Sequence, residues 1–315
     1  MRVAAIDIGS NSIRLLVADL DERSGADGPV TTVARAGEVC RLARGLDKAG
    51  MIEEGLAQRA GTLASDFVRR ANSLGARHIV VGATAAIRNA RNGPDVVAGI
   101  ERQAGLPVRV LTGDEEARLV YRAVVIGLGK GAARSQCVAF DVGGGSTEVV
   151  SGLGASPGRW VSLPFGAVSL TERFLPSDPP TAGETDELRS RVRSEIMHLC
   201  AYMPEQVPLL AGVGGTVTVL ASMDRGLTSY EPSLIEGWRI HADRLPGLVD
   251  RLVASRHHER RGLPIVGEGR ADIVVAGALI VTELVARFPS ASLVCSTQGL
   301  RYGLARMAAA EAFGG

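Results

Sequence analysis

A short pattern occurs twice in the chain and constrains its fold more than any other feature of the sequence. The first copy is Asp7-Ile8-Gly9-Ser10-Asn11-Ser12, and the second, 134 positions later, is Asp141-Val142-Gly143-Gly144-Gly145-Ser146. Apolar residues flank both copies, and glycine permits the backbone conformations that a tight turn requires. Each copy is therefore predicted to be a strand, a turn and a second strand, and the repetition predicts two related domains.

Helical and strand patterns alternate along the rest of the chain. Predicted helices cover residues 53–74, 94–103, 114–125, 183–202, 242–254, 270–287 and 299–310. Predicted strands cover residues 78–82, 108–111, 160–163, 208–211 and 292–295. This alternation indicates an α/β architecture. From the repeat, we expect residues 1–125 with 299–315 to form one domain and residues 126–298 to form the other.

Composition argues against nucleic acid as a partner. The 315 residues include 35 Lys and Arg against 34 Asp and Glu, and the formal net charge is +1. Proteins that bind nucleic acid without sequence preference depend on a basic field and on aromatic residues that stack on bases. Here aromatic residues make up only 4% of the chain.

The sequence also predicts a cytoplasmic protein without a membrane partner. The first apolar stretch is interrupted by Asp7, and the longest apolar run, residues 273–281, is far below the roughly 20 residues of a membrane span. The four cysteines, which have no CxxC spacing, are predicted to be buried thiols: Cys40, Cys137, Cys200 and Cys295. His257 and His258 are predicted to lie in a solvated, Arg-rich loop without a metal.

The glycine-rich turns are suited to phosphate groups, because they present backbone N–H groups and hydroxyls without bulky side chains. Two further glycine clusters, residues 211–216 and 296–303, follow apolar strands and open predicted helices. A helix N-terminus binds anions, and α/β proteins bind ligands at the ends of strands. For any single loop the alternative is a turn in which glycine only permits a positive φ. The matched pair of loops favours phosphate binding.

Seven ordered segments make the chain resemble the exopolyphosphatase/guanosine pentaphosphatase (Ppx/GppA) phosphatases over almost its whole length. These segments are residues 7–12, 83–88, 113–119, 141–148, 164–168, 212–216 and 270–272. The resemblance implies the two-domain, ribonuclease H-like α/β fold of the actin/Hsp70/sugar-kinase superfamily, with an interdomain cleft. It also implies hydrolysis of a terminal phosphoanhydride bond, and a homodimer.

The resemblance assigns roles to residues that match the family motifs. Glu116 is similar to the general base of the family; without the resemblance, Glu115 and Glu116 would be read as carboxylates that stabilise a helix N-terminus. Asp141 and Glu148 resemble its magnesium ligands, and Asp7, the counterpart of Asp141, is a further candidate ligand. The phosphate contacts implied are Asn11, Ser12, Arg88, Gly143, Gly144, Gly145, Ser146 and Thr147. The turn patterns add Ser10, Gly214, Gly215 and Thr216.

The two hairpins differ at one charged position. Arg14 in the first copy stands where Glu148 stands in the second. We therefore expect the first hairpin to bind phosphate through Arg14 and the second to bind metal through Asp141 and Glu148. Mg²⁺ prefers such oxygen ligands and keeps several waters, Mn²⁺ is an alternative, and a monovalent cation could stimulate the activity. The other interpretation is an ordinary turn Asp and a solvated strand Glu.

The function expected first is a magnesium-dependent exopolyphosphatase that releases terminal orthophosphate from inorganic polyphosphate. The same residues suit the 5′ γ-phosphate of guanosine pentaphosphate, because both substrates end in a phosphoanhydride. A kinase of the same superfold would need an acceptor site, for which no polar cluster is evident. A non-catalytic nucleotide or alarmone sensor is disfavoured by the joint presence of Glu116, Asp141 and Glu148.

The chain departs from the family pattern in two places. Tyr302 stands where the family usually has Glu in an Arg-Glu-Gly motif. If that Glu orients a ligand, substrate preference should differ; if it caps a helix, nothing changes. The chain ends at Gly315, so the additional C-terminal helical domains of long family members, and the long-chain processivity associated with them, are not expected.

Overall fold

The computed structural model describes residues 1–267 and 269–314. The strands are β1 (Arg2–Ile8), β2 (Ser12–Leu20), β3 (Val30–Val39), β4 (His78–Ala83), β5 (Val108–Val110), β6 (Gln136–Val142), β7 (Thr147–Leu153), β8 (Ser156–Leu163), β9 (Leu209–Val213), β10 (Arg239–His241) and β11 (Ser292–Cys295). The α-helices are α1 (Leu46–Ala49), α2 (Glu54–Ser73), α3 (Ala85–Asn89), α4 (Gly93–Ala104), α5 (Gly113–Leu128), α6 (Ala167–Phe174), α7 (Ala182–Leu199), α8 (Gly215–Arg225), α9 (Pro232–Ile235), α10 (Leu245–Ala254), α11 (His257–Arg261), α12 (Val274–Arg287) and α13 (Leu300–Gly314).

The chain divides into two compact units, each with its own sheet. Unit 1 comprises Met1–Ala123 and the C-terminal segment from Leu300, and unit 2 comprises Val124–Gly299. Helix α5 begins in unit 1 and ends in unit 2, and α13 belongs to unit 1.

Unit 1 contains a five-stranded mixed sheet in the order β3-β2-β1-β4-β5. Strand β2 is antiparallel to both β1 and β3, whereas β4 is parallel to β1 and β5 is parallel to β4. Residues 3–6 of the central strand β1 are fully buried, because β1 has a neighbour on each side and α2 and α13 pack on it. The continuous apolar run of β1 is typical of a strand buried on both faces.

Unit 2 repeats this arrangement in the order β10-β11-β9-β6-β7-β8. Strand β7 is antiparallel to β6 and β8, and β9 and β11 extend the sheet in the direction of β6. Strands β6, β7, β8, β9 and β11 therefore correspond to β1 to β5, and β10 is an additional antiparallel edge strand. The predicted α/β class with two related domains is confirmed.

The predicted helices and strands are present with ends displaced by at most four residues. The sequence patterns missed the edge strands β3 and β10 and the short helices α1, α3, α6 and α9. The prediction of a loop at His257 and His258 was wrong, because both residues begin helix α11, in which His258 is exposed. That helix is held by Arg260, which is only 4% exposed and donates to the backbone oxygen of Ala271 and to Asp178.

The prediction for the cysteines is confirmed, since all four are buried free thiols. Burial raises the pKa of Cys137 to about 12 and that of Cys200 to about 11. Within the two described ranges, none of the helices combines the length and the hydropathy that crossing a bilayer requires.

Candidate active site

The two hairpin turns of the sequence repeat have the same hydrogen bond. We call residues 9–12 loop 1 and residues 143–146 loop 2. The N–H of Gly9 donates to the oxygen of Ser12 at 3.1 Å, and the N–H of Gly143 donates to the oxygen of Ser146 at 3.0 Å. The predicted strand, turn and strand are thus confirmed in both copies.

The backbone oxygens of both loops are bound by the segment that follows the third strand of each sheet. In unit 1, the N–H groups of Cys40 and Arg41 donate to Asn11 at 2.9 and 2.8 Å, and Ala43 donates to Ser10 at 2.9 Å. In unit 2, residues 167 and 168 at the start of α6 donate to the oxygens of residues 143 and 144, each at 2.9 Å. A carbonyl oxygen would repel a phosphate. Because protein N–H groups already bind these oxygens, the loops can present their own N–H groups to an anion.

The residue that precedes α6 must be glycine. A Cβ atom at Gly166 would lie 2.5 Å from the oxygen of Gly143 and 2.6 Å from the oxygen of Gly144. These distances are far below the 3.5–4.0 Å of an ordinary carbon contact. Loop 2 and the start of α6 therefore pack backbone against backbone.

The parallel strands of unit 1 bring the predicted base and arginine to the same sheet edge as loop 1. Loop 1 follows β1, Arg88 lies on α3 after β4, and Glu116 lies on α5 after β5. Backbone hydrogen bonds join the strand ends. The N–H of Thr84 donates to the oxygen of Ile8 at 3.2 Å, and the N–H of Leu111 donates to the oxygen of Ala83 at 2.9 Å. Ligands of α/β proteins bind at this carboxyl-terminal edge.

The two adjacent carboxylates of α5 have different surroundings. Glu115 forms a capping box with Thr112: the N–H of Thr112 donates to Glu115 Oε2 at 2.9 Å, and the N–H of Glu115 donates to Thr112 Oγ1 at 3.1 Å. These bonds and Arg109 hold the pKa of Glu115 below its usual value. Glu116 is 8% exposed and accepts a hydrogen bond from Arg88 Nη1 at 3.0 Å.

Arg88 is positioned by two hydrogen bonds, both of which use Nη1. Besides Glu116, this atom donates to the backbone oxygen of Leu111 at 2.7 Å. Among the described residues, no hydrogen bond is made by Nε or Nη2, and the side chain remains 21% exposed. Those N–H groups are thus available to a phosphate oxygen, for which a guanidinium is well suited.

Positive charge surrounds the start of the first hairpin. Asp7 lies directly across the ladder from Arg14, whose Nε donates to Ser12 Oγ at 3.1 Å. Burial raises the pKa of Asp7, while Arg14 and Arg301 oppose this effect. Asp7 stays a predicted metal ligand, and the positive charges of Arg14 and Arg301 act on its carboxylate.

The second hairpin brings oxygen ligands together. Asp141 lies opposite Glu148, which lies opposite Ser162, so the three residues form one row across β6, β7 and β8. Glu148 is 1% exposed and accepts a hydrogen bond from Ser162 Oγ at 2.8 Å. Directly opposed residues of an antiparallel pair project from the same face of the sheet.

Two carboxylates on one face fit Mg²⁺, which takes oxygen ligands and retains water molecules. Across the described residues, no group of three or more His, Cys, Asp or Glu side chains is arranged to bind a metal ion. A magnesium ion held by Asp141 and Glu148 would therefore complete its coordination with water and substrate oxygens.

The third predicted phosphate turn lies beside Asp141 at the start of α8. Gly214 has a φ of 107°, and a Cβ there would lie 2.8 Å from Asp141 Oδ1. A Cβ at Gly215 would lie 2.8 Å from Arg270 Nε, so this guanidinium lies at the helix N-terminus. Cationic and helix-terminal donors at one point favour an anion.

Other predicted phosphate contacts are enclosed by protein. Ser10, Ser146 and Thr216 are 4–6% exposed. Thr147 is fully buried, and its hydroxyl donates to the oxygen of Phe165 at 2.9 Å. Thr147 thereby supports the segment that leads into α6, and a direct phosphate contact stays a prediction.

Sequence reasoning assigned no role to Arg301, Arg270 or Ser162. Arg301 and Arg270 lie in segments that the sequence analysis singled out, and their positive charge could have identified them as candidate phosphate contacts. Ser162 had no local signal, because its contact with Glu148 depends on the register of β7 and β8. Tyr302, the departure from the family pattern, is buried, and its hydroxyl lies 3.1 Å from Thr32 Oγ1 on β3.

A model of the Ppx/GppA phosphatase family matches residues 16–309. The chain belongs to the Ppx/GppA phosphatase family. It is 35% identical over 295 residues to exopolyphosphatase 2 of Mycobacterium tuberculosis, covering 90% of this chain and 89% of that protein. It is 31% identical over 314 residues to exopolyphosphatase 1 of Mycobacterium bovis, covering 96% and 87%.

Solved structures of the Ppx/GppA family have the same fold. An exopolyphosphatase-like protein superposes with a TM-score of 0.90 at 30% identity, covering 97% of each chain. The Ppx/GppA family member of Aquifex aeolicus superposes with a TM-score of 0.81 at 29% identity, covering 98% of this chain and 97% of that one. The resemblance stated from the sequence motifs is confirmed.

Proposed function

We propose that this Ppx/GppA phosphatase is an exopolyphosphatase, which releases terminal orthophosphate from inorganic polyphosphate. The proposal rests on one observation above all: the hydrogen bond between Arg88 and the buried Glu116 at the sheet edge that carries loop 1. It is also supported by relatives at 35% and 31% identity that are named exopolyphosphatases.

In the proposed reaction, loop 1, Arg14 and Arg88 bind oxygens of the terminal phosphate. Glu116 orients a water molecule and accepts its proton as the water oxygen forms a bond to the terminal phosphorus. The bond from this phosphorus to the bridging oxygen breaks, and the shortened polyphosphate leaves. Phosphoryl transfer depends mainly on positioning and on electrostatic stabilisation, and a positioned base contributes about 10²- to 10⁴-fold.

Arg88 has two tasks in this scheme. Its Nη1 donates to Glu116 Oε2 and so selects one orientation of the carboxylate. Its Nε and Nη2 are directed to substrate oxygens. One side chain thereby sets the distance between the base and the phosphate, which is the type of positioning that accelerates in-line attack.

Asp141 and Glu148 would hold Mg²⁺ or Mn²⁺. When bound, the ion supplies positive charge that offsets the charge of the phosphate oxygens. Ser162 fixes Glu148 through the hydrogen bond to Oε1, as outer partners of metal ligands do.

The test is orthophosphate release with Mg²⁺ from long polyphosphate, tripolyphosphate, guanosine pentaphosphate and ATP. Wild type is compared with Glu116→Gln and with Glu115→Gln, which makes the same chemical change one residue away. We expect Glu116→Gln to lower kcat about 10²- to 10⁴-fold on polyphosphate, and Glu115→Gln to stay near wild type.

Two outcomes would contradict the proposal. Full turnover by Glu116→Gln on every substrate would show that Glu116 is not the general base. Tight binding of a nucleotide without hydrolysis of any substrate would identify a sensor. A higher kcat/KM for guanosine pentaphosphate than for polyphosphate would change the substrate but not the machinery.

A further inference from the structure

Arg41 has a backbone conformation that non-glycine residues rarely adopt. In the described part of the chain it is the one residue other than glycine with a positive φ, at 58°. Such conformations cost free energy and accumulate at functional sites. Arg41 is also bound to loop 1, because its N–H donates to the oxygen of Asn11 at 2.8 Å.

The position of Arg41 has an equivalent in unit 2. Gly37 in β3 and Ser162 in β8 each lie opposite the charged residue of the preceding strand. Counting four residues from each places Arg41 in unit 1 where Gly166 stands in unit 2. One hydrogen bond is common to both units, because residues 43 and 168, each two positions further, donate to equivalent oxygens of loops 1 and 2.

In unit 2 the corresponding Gly166 has an extended backbone, with a φ of −148°, and lies close to loop 2. A Cβ there would lie 2.5 Å from the oxygen of Gly143, so unit 2 has no side chain at this point. In unit 1 the same position carries the longest cationic side chain. Arg41 has a left-handed backbone, which glycine would adopt without strain. The presence of arginine despite this strain indicates that its side chain is required.

The order of the strands places Arg41 and the base on different sides of loop 1. In the order β3-β2-β1-β4-β5, Arg41 follows β3, whereas Arg88 and Glu116 follow β4 and β5. If the terminal phosphorus lies near Glu116 and the first oxygens contact loop 1, a polyphosphate chain that continues in the same direction reaches the β3 side. An arginine on that side would offer a guanidinium, which binds phosphate oxygens well.

We infer that Arg41 is a substrate-binding residue that contacts a non-terminal phosphate of the polyphosphate chain. The inference rests on the proposed function. It distinguishes Arg41 from Arg88, which serves the terminal phosphate, and from Arg44, an exposed residue of the same turn whose N–H donates to Arg41 at 2.9 Å.

The experiment measures polyphosphate binding by calorimetry in the Glu116→Gln background, so that hydrolysis does not interfere. Arg41→Ala and Arg41→Gly are compared with Arg44→Ala. We expect both Arg41 variants to raise the Kd about tenfold, the loss typical of a charge-assisted hydrogen bond, and Arg44→Ala to leave it unchanged. Orthophosphate, which is expected to occupy only the terminal position, should bind with an unchanged Kd in all three variants, measured by the same calorimetry.

Thermal unfolding separates the substrate role from a structural role. Arg41→Gly should have a higher Tm than Arg41→Ala, because glycine adopts the left-handed conformation without strain. An unchanged Kd in both Arg41 variants would overturn the inference and leave Arg41 as a turn residue. An equal loss of orthophosphate binding would overturn the assignment to a non-terminal phosphate.

Failure of the proposed function would be recognised separately. If wild type binds polyphosphate but releases no orthophosphate, the exopolyphosphatase proposal fails, and the Kd values still decide the role of Arg41. If wild type binds no polyphosphate, both are overturned.

Discussion

Replacement of Gly166 by alanine tests whether backbone contact between α6 and loop 2 positions the site of unit 2. The added Cβ would lie 2.5 Å from the oxygen of Gly143, and 2.5 and 2.6 Å from the carbonyl carbon and oxygen of Gly144. Since ordinary contacts begin near 3.5 Å, loop 2 or α6 must move by about 1 Å. The contacted atoms are all backbone, so no side-chain rotation can relieve the overlap.

Overpacking of this kind costs about 1–3 kcal/mol of stability. A displacement of about 1 Å at a catalytic site can lower turnover about 10²-fold. Loop 2 connects Asp141 to Glu148, and therefore the Mg²⁺ concentration for half-maximal activity should rise as well. Gly166→Ala is thus expected to combine a lower Tm, a lower kcat and a weaker Mg²⁺ response.

The matched control is Gly183→Ala in α7. No heavy atom lies within 4 Å of a Cβ added at Gly183, and its φ is not positive. Alanine is favoured over glycine in a helix, so this variant should gain about 0.4–1 kcal/mol and keep full activity. The Tm of both variants and of wild type is measured by thermal unfolding, and their orthophosphate release is measured over a Mg²⁺ titration. A Gly166→Ala protein with wild-type Tm and Mg²⁺ response would refute the steric argument.

Three further predictions concern charge and burial. Arg14→Ala should raise KM for polyphosphate more than it lowers kcat, because Arg14 is proposed to bind substrate and not to act on the water. Glu115→Gln should lose about 0.3–1 kcal/mol at neutral pH, measured by urea unfolding, since it removes a carboxylate from a helix N-terminus. Because the pKa of folded Glu115 is lowered, this loss should be present above about pH 4.3 and disappear as pH falls through the folded pKa. Cys137 and Cys200 should resist thiol reagents until the protein is unfolded, because burial raises their pKa to about 12 and about 11.

Each of these three predictions has an outcome that would contradict it. An unchanged KM in Arg14→Ala would argue against the phosphate role of the first hairpin. A stability loss in Glu115→Gln that persists at pH 3 would show that the charge is not its cause. Rapid labelling of native protein at Cys137 or Cys200 would contradict their burial.

Much of the fold follows from local patterns. The apolar run before Asp7, the glycines of loop 1 and the spacing of apolar residues in α2 are each visible in a short window of sequence. Strand β3 was missed because it is an edge strand with Thr, Arg and Glu exposed, so it lacks a continuous apolar run. Helix α11 was missed because the burial of Arg260 depends on oxygens of Asp178 and Ala271, which are distant in sequence.

The sequence by itself determined the duplication, the α/β class and the placement of Asp141 and Glu148 on either side of one turn, because a hairpin brings neighbouring residues together. It left two adjacent carboxylates, Glu115 and Glu116, with the same local explanation at a helix N-terminus. The family resemblance singled out Glu116, but only the tertiary structure supplied the physical difference: Glu115 caps its own helix, whereas Glu116 meets Arg88, 28 residues away, where two parallel strands end. The physical reason is that a hydrogen bond between distant residues depends on strand order and register, which no local pattern encodes.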